Sequence, residues 1–429
     1  MLSKLRSVFF HVIPARRLLS RFRASHYRAS ALFRGSHLPH LSDLPRAQAD
    51  AINLKSDDYF DKADQHAYWA NKPLSDINHG PQDLWRFGLL LSALAIRPED
   101  RVLDFGCGTG WTSNFLARIG ADVTATDISQ KALAIAEAHT AHARVAEGGG
   151  RLRYQPFDGR RIDAPDEHYD FIIVFDAFHH LPNPVAILRE FCRVLSPHGC
   201  VGFAEPGRGH SSTVHSRHEL ELGVLENEID PEQLRETARH AGFSELEVIV
   251  PPIPPNLMML PMPRLRWYLR GLPWIVPHDY IRAAILSSPI GVLRKGPHIS
   301  TSLHPHGLRA EIRSLGTPIE TRKGEAFTVR ASIVNKAGTV WLRTGRRGVG
   351  YVRAGGRILR LPDFSLVHEC GRAAIPRDMH EGDQCELDVP CVAPDQPGEY
   401  VVRLEMIDEG ITWFSADEAA ATDVRLVVV

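Results

Sequence analysis

The rhythm of apolar and polar positions changes twice along the chain. Between residues 101 and 250, short apolar runs alternate with stretches whose apolar positions recur every three or four residues. Such runs predict buried strands, and such stretches predict amphipathic helices. The predicted strands span 101–105, 122–126, 152–155, 171–175, 199–204 and 244–250, and the predicted helices 112–118, 130–146, 184–195 and 231–241. Regular alternation of this kind predicts an α/β fold, a doubly wound parallel sheet with helices on both faces. Upstream, 47–97 reads as mostly helical and ends in a strongly apolar helix over 84–95. From about 309 to 429 the period shortens to two, with turn signals roughly every ten residues, which predicts an all-β sandwich. Its clearest strands are 326–333, 399–406 and 424–428, with Pro397-Gly398 as a turn. The polar stretch 296–306 reads as the linker between the two domains.

Two segments fit neither rhythm. Residues 1–35 carry Lys4, Arg6, Arg16, Arg17, Arg21, Arg23, Arg28 and Arg34 and no acid, with apolar residues at helical spacing on either side of Pro14. An extension of this kind (1–46) reads as an amphipathic anchor on an anionic membrane surface, as an organellar targeting segment, or as a solvated tail. The second segment, 251–290, has prolines at 251, 252, 254, 255, 261 and 263, which exclude a long helix. Trp267, Tyr268, Trp274 and Tyr280 follow among arginines. This segment reads as a substrate lid, a second membrane-contacting patch or a buried packing element.

Composition narrows the function classes. With 44% hydrophobic and 24% charged residues and a net charge of −1, the chain has no overall basic character for nucleic acid. Its six cysteines form no C-x-x-C pair, and reduced thiols in a cytoplasmic setting are expected. No stretch of about 18 apolar residues predicts a membrane-spanning helix. The 22 histidines show no H-E-x-x-H spacing, so no metal site is expected.

Candidate chemistry begins at RVLDFGCGTGWTS, residues 101–113, where a strand runs into a turn with glycines at 106, 108 and 110. Glycines allow the backbone to turn tightly and let a ligand lie against the main chain at a helix N-terminus. A dinucleotide fingerprint would need glycine at 111, where Trp111 stands. The spacing is instead D-x-G-x-G-x-G. The carboxylate of Asp104 suits an ammonium or hydroxyl-bearing ligand and repels a pyrophosphate. This segment closely resembles motif I of the class I S-adenosylmethionine-dependent methyltransferases, and a resemblance of that kind extends over about 85–250.

The resemblance implies S-adenosylmethionine as cofactor and a Rossmann-like methyltransferase domain over 47–296, with 251–290 as an insertion before a closing strand at 290–294. It implies that Asp104, Gly106, Gly108 and Gly110 cradle the cofactor and that Asp127, at the end of the second strand, accepts the ribose hydroxyls. Ile128 would pack on the adenine, Asp158 would accept from its amine, and Asp176 would join the binding set. An N-terminal helical element, here bearing Tyr59, Tyr68, Trp69 and Trp85, often covers the cofactor in this class; aromatic packing onto the sheet explains those residues equally well. The run Phe175-Asp176-Ala177-Phe178-His179-His180-Leu181-Pro182 resembles the post-strand motif of quinone- and small-molecule-type members.

Trp111 and Phe178 are candidates to face a sulfonium. His179 or His180 is expected as the general base or acceptor-positioning group for a hydroxyl acceptor, or else caps the next helix or packs beside Pro182; Glu205 and Asp176 follow as candidates. The segments 335–342 and 397–414 resemble immunoglobulin-like modules of bacterial glycan-modifying enzymes, with Trp341 and Trp413 as core or sugar platform. That pairing favours O-methylation of a cell-surface glycan or lipid-linked sugar, handled in the cytoplasm or peripherally on the inner membrane face. A quinone-like or other lipophilic small molecule is the second acceptor class, and a catalytically silent scaffold the third reading.

Overall fold

The computed structural model describes residues 41–60, 71–75, 79–140, 149–250, 262, 278–297, 299–305, 307–316, 318–345, 348–414 and 421–429. The basic segment 1–35, Tyr68, Trp69, Trp267, Tyr268 and Trp274 lie outside the described residues. The chain divides into two units, Met1–Pro297 and His298–Val429. No described helix is long and apolar enough to cross a membrane.

The first unit opens with helices α1 (Arg46–Asn53), α2 (Ser56–Phe60) and α3 (Gly80–Leu94), then follows β1 (Arg101–Phe105), α4 (Trp111–Arg118), β2 (Asp122–Asp127), α5 (Gln130–Thr140), β3 (Arg151–Pro156) and β4 (Tyr169–Phe175). It continues with α6 (Pro184–Val194), β5 (Leu195–Ala204), α7 (Val214–Glu221), α8 (Pro231–Ala241), β6 (Glu245–Val248), α9 (His278–Ser287) and β7 (Ile290–Arg294). The sheet order is β3-β2-β1-β4-β5-β7-β6. β1 to β5 run parallel, and β7 is antiparallel to both β5 and β6. Strand order reverses between β1 and β4, and the crevice at such a switch point is where this architecture binds ligands.

Local sequence explains the elements. Central parallel strands are covered on both faces, so VLDF in β1 and FIIVF in β4 are nearly continuous apolar runs with buried side chains. The helix α8 is bounded by Asp230, whose side chain accepts from the Glu232 and Gln233 amides, by Pro231 in its first turn and by Gly242 in a left-handed cap. One sheet face packs Leu103, Phe105, Ile172 and Phe203 under Phe191 of α6 and Leu234 of α8. The other packs Val102, Val123 and Ile173 under Leu90 and Leu94 of α3 and Leu116 of α4. β5 begins at Leu195, earlier than the pattern predicts. β6 ends at Val248, short of the predicted 250, and is an edge strand with alternating exposure.

The second unit contains β8 (Ala310–Ser314), β9 (Ile319–Thr321), β10 (Ala326–Asn335), β11 (Val352–Arg360), β12 (Ser365–Glu369), β13 (Ala373–Ala374), β14 (Gln384–Val392), β15 (Gly398–Asp408), β16 (Thr412–Trp413) and β17 (Thr422–Val428). One sheet orders β14-β10-β8 and the other β12-β11-β15-β17-β9. Both contribute to one core containing Val329, Ile333, Ile358, Val389, Val402 and Leu426. Trp341 is wholly buried in that core, edge-on to Phe414 at 5.3 Å between ring centroids. Trp413 is half-buried, and its ring carries the guanidinium groups of Arg357 and Arg372 at 5.1 and 4.8 Å.

Candidate functional site

A cavity of about 220 Å³ opens at the switch point. The turns after β1 and β4 form its floor: Gly106, Cys107, Gly108, Asp176 and Ala177. Ile52 and Asn53 of α1, Tyr59 and Phe60 of α2, and Val224 and Leu225 of the loop after α7 complete the wall with Trp111, Phe175 and Leu181. Two glycines of the turn have separate reasons. A Cβ on Gly106 (φ 69°) would sit 2.4 Å from the Ala177 Cβ, so glycine lets the two turns meet. A Cβ on Gly108 (φ 51°) would meet nothing within 4 Å; this glycine keeps bare backbone on the cavity wall.

Asp127 ends β2 on the cavity wall. Its carboxylate accepts from the backbone amides of Gly108 at 2.8 Å and Ser129 at 2.9 Å. Burial raises its pKa, and these amides oppose the rise. Ile128 lies beside it on the same wall. Asp104 takes a different place from the one expected. Thr112 Oγ1 and Ser113 Oγ both donate to one of its oxygens, at 2.6 and 2.5 Å, and it is 1% exposed beneath the turn. The two hydroxyls capture the carboxylate, so Asp104 ties α4 to β1 and does not line the cavity. Burial holds its pKa up at about 6. Gly110 is the left-handed cap of α4, packed toward Tyr154 and off the cavity. Asp158 is exposed and accepts from the amides of Arg160 and Arg161, while its neighbours Phe157 and Gly159 line the wall.

The two histidines part company in the short 3-10 turn Phe178–His180. Glu205, at the end of β5 and wholly buried, accepts from the Ala177 and Phe178 amides at 3.0 Å and from the His179 amide at 3.2 Å. It also contacts His179 Nδ1 at 2.7 Å. Glu205 therefore anchors the turn from below, and burial pushes its pKa up to about 7. His179 is 4% exposed and outside the cavity lining, and burial pushes its pKa down to about 4. Phe178 is core, packed edge-on against Phe203 at 5.3 Å, whereas Trp111 lines the cavity. His180 is half-exposed on the cavity wall, with Nδ1 2.7 Å from the Leu225 carbonyl. A carbonyl only accepts, so Nδ1 carries the hydrogen. Burial lowers the pKa of His180 to about 4. The neutral ring therefore keeps its lone pair on Nε2.

Sequence reasoning missed two partners. Arg86 of α3 donates to both oxygens of Asp176, at 2.9 and 2.7 Å, and lies over the Phe175 ring at 4.8 Å. That fork holds Asp176 in a left-handed conformation (φ 49°) which residues with a Cβ seldom adopt. Glu226 is buried between His180 Nδ1 (3.4 Å) and His210 Nε2 (2.6 Å). Donor atoms of His179, His180 and Glu226 lie within 4.8 Å of one another, a spacing a cation could use. His179 and His180 already have hydrogen-bond partners in Glu205 and the Leu225 carbonyl, and Glu226 lies within ion-pair distance of His180 and His210, so we read the cluster as a set of contacts within the protein. A conspicuous HH pair marks one side of it in sequence; nothing in LENEID marks Glu226.

The residues present fit an adenosyl ligand. A carboxylate offers about four lone-pair sites, so Asp127 retains capacity for hydroxyls beyond its amides. Gly108 exposes backbone, and Ile128, Phe157 and Trp111 offer apolar faces. A family model described as a methyltransferase domain matches residues 103–203. The ubiquinone biosynthesis O-methyltransferase of Nitrosospira multiformis is 30% identical over 198 residues, covering 43% of this chain and 78% of that protein. Its counterpart in Bordetella avium is 31% identical over 182 residues, covering 40% and 71%. Among solved structures, a putative sarcosine dimethylglycine methyltransferase from Galdieria sulphuraria matches with 19% identity, TM-score 0.36, covering 51% of this chain and 87% of that one.

Proposed function

The chain belongs to the class I S-adenosylmethionine-dependent methyltransferases, and we propose that it methylates a hydroxyl of a lipophilic, quinol-like aromatic acceptor. The observation that carries this reading is His180: a neutral imidazole on the cavity wall, its Nδ1–H spent on Leu225 and its Nε2 lone pair unspent. When bound, S-adenosylmethionine supplies a methyl group on a sulfonium, already electrophilic without activation by the protein. The protein's own work is to position the acceptor, exclude water and receive the hydroxyl proton. Asp127, Gly108 and Ile128 hold the cofactor's nucleoside end. Tyr59, Phe60, Leu181, Val224 and Leu225 give an apolar wall suited to an aromatic ring. His180 Nε2 accepts the proton, leaving a methoxy group on the acceptor and an imidazolium in the wall.

The acceptor class draws support from the relatives, whose names state ubiquinone biosynthesis and O-methylation. The glycan reading rests on the C-terminal sheets and their likeness to immunoglobulin-like modules. It draws no support from the tryptophans: Trp341 is core, and Arg357 and Arg372 lie over the Trp413 ring. The test is turnover of the purified chain with S-adenosylmethionine and a prenylated catechol, followed by S-adenosylhomocysteine release and the mass gain of one methyl. Methylation of sugars in a cell-envelope extract, with the catechol left untouched, would overturn the acceptor class.

A further inference from the structure

Glu226 has no part in the chemistry described so far, yet it is a carboxylate with a 2% exposed side chain, 3.4 Å from His180 Nδ1. Burying a carboxylate costs several kcal/mol unless it is paired. Here its two oxygens face histidine rings, one 3.4 Å from His180 Nδ1 and the other 2.6 Å from His210 Nε2, contacts that become ion pairs when a ring is protonated. We propose that Glu226 is the positioning residue of the acceptor-side base: it helps hold His180 with hydrogen on Nδ1 and carries the counter-charge when Nε2 takes a proton from the acceptor.

This rests on His180 being the proton acceptor. The need for such a group follows from the setting. Burial and the ring of His179, tilted against it with 3.8 Å between centroids, both disfavour an imidazolium at 180, while Glu226 and Glu205 favour it. Asp176 and Arg86 add opposite charges from the end of β4 and from α3. Lys55 faces the same cavity from the α1–α2 turn, and Lys72 and Asp83 line it as well. Of the carboxylates in this set, Glu226 is the one that contacts the His180 ring. It meets the ring edge opposite Nε2, so it stabilises the cation without competing for the acceptor proton. Its second oxygen lies 2.6 Å from Nε2 of His210, whose side chain is 23% exposed and opposes protonation of His179. Glu226 thus works against burial and His179, and His210 tempers it.

The test reads the His180 ring directly in the full chain, by NMR of isotope-labelled histidine, assigned with His180→Gln and recorded with S-adenosylhomocysteine added. With a midpoint near 4, about a tenth of His180 is protonated at pH 5 in the unaltered chain. Glu226→Gln should cut that fraction several-fold. His210→Asn, at a partly exposed position, should raise it. The opposite signs keep the second variant decisive if the first does not fold. Equal protonation of His180 in all three chains, or a rise in Glu226→Gln, would overturn the proposal. Full turnover by His180→Ala would overturn the base assignment itself; loss of turnover there, with His180 protonation indifferent to Glu226, would sink only the role of Glu226.

Discussion

His180 Nδ1 and the Leu225 carbonyl, 2.7 Å apart, fix which nitrogen of the ring faces the chemistry. His179, the adjacent residue, spends its Nδ1 on Glu205 and is buried outside the cavity. The two alanine variants should therefore behave differently. His180→Ala should lower kcat by about 10²–10⁴-fold, the usual worth of a positioned base, with cofactor affinity little changed. His179→Ala should instead lower thermal stability, because Glu205 loses a partner in a wholly buried site. Steady-state kinetics, cofactor titration and melting curves on both variants separate the roles. Equal kcat losses at unchanged stability would contradict this division.

Asp127 is the cofactor prediction. Hydrogen bonds to a charged acceptor contribute about 1.5–3 kcal/mol. Asp127→Ala should thus weaken S-adenosylhomocysteine binding by roughly 10- to 150-fold. Isothermal titration measures this directly. Asp127→Asn keeps an oxygen acceptor and should fall between the two. Affinity unchanged in Asp127→Ala would remove the diol contact from the site.

Much of the site was legible because its chemistry is sequential. The glycine turn, Asp127 and the HH pair each sit at a strand end, and a parallel sheet brings strand ends together. Pro231 and Gly242 likewise bracket α8 in plain sight. What sequence could not carry was direction. Asp104 stands at a strand end as Asp127 does, yet two hydroxyls on the following helix turn it into the core. Glu205 and His180 were candidates for one role, and only burial and partners separate an anchor from a base. Arg86 and Glu226 were invisible for another reason. Each meets its partner across 90 and 46 residues of chain respectively, through packing that no local pattern records.

Asp104 yields a prediction from that difference. If it holds the fold, Asp104→Ala leaves the hydroxyls of the buried Thr112 and Ser113 without their acceptor. The expected cost is about 1–3 kcal/mol per unsatisfied group, seen as a lower denaturant midpoint. Asp104→Asn retains an acceptor oxygen and removes the carboxylate that burial penalises. Because the folded pKa of Asp104 is raised to about 6, ionisation destabilises the fold progressively as pH rises from the unfolded value near 4 through 6. Asp104→Asn should therefore compare more favourably with the parent chain at pH 8 than at pH 5. The reverse trend in denaturant melts would show that the carboxylate is stabilised by a partner other than these hydroxyls.

Arg86 and Asp176 should show the opposite pH sign. The folded pKa of Asp176 is lowered: burial raises it, but the Arg86 charge and its two hydrogen bonds outweigh burial. A depressed carboxylate pKa stabilises the fold above the unfolded value near 4, and that contribution fades as pH falls through the folded pKa. Arg86→Met keeps the apolar stem over Phe175 but removes the fork, leaving Asp176 in its left-handed conformation without its partner. The loss should be about 1–3 kcal/mol at pH 7 and should shrink as pH is lowered below about 4. Asp176 also floors the cavity beside His180, so cofactor affinity and kcat should fall along with stability. Paired melts of the parent and Arg86→Met chains across that range read the sign. A penalty that stays constant or grows toward low pH would mean that Arg86 acts through packing on Phe175 and not through the carboxylate.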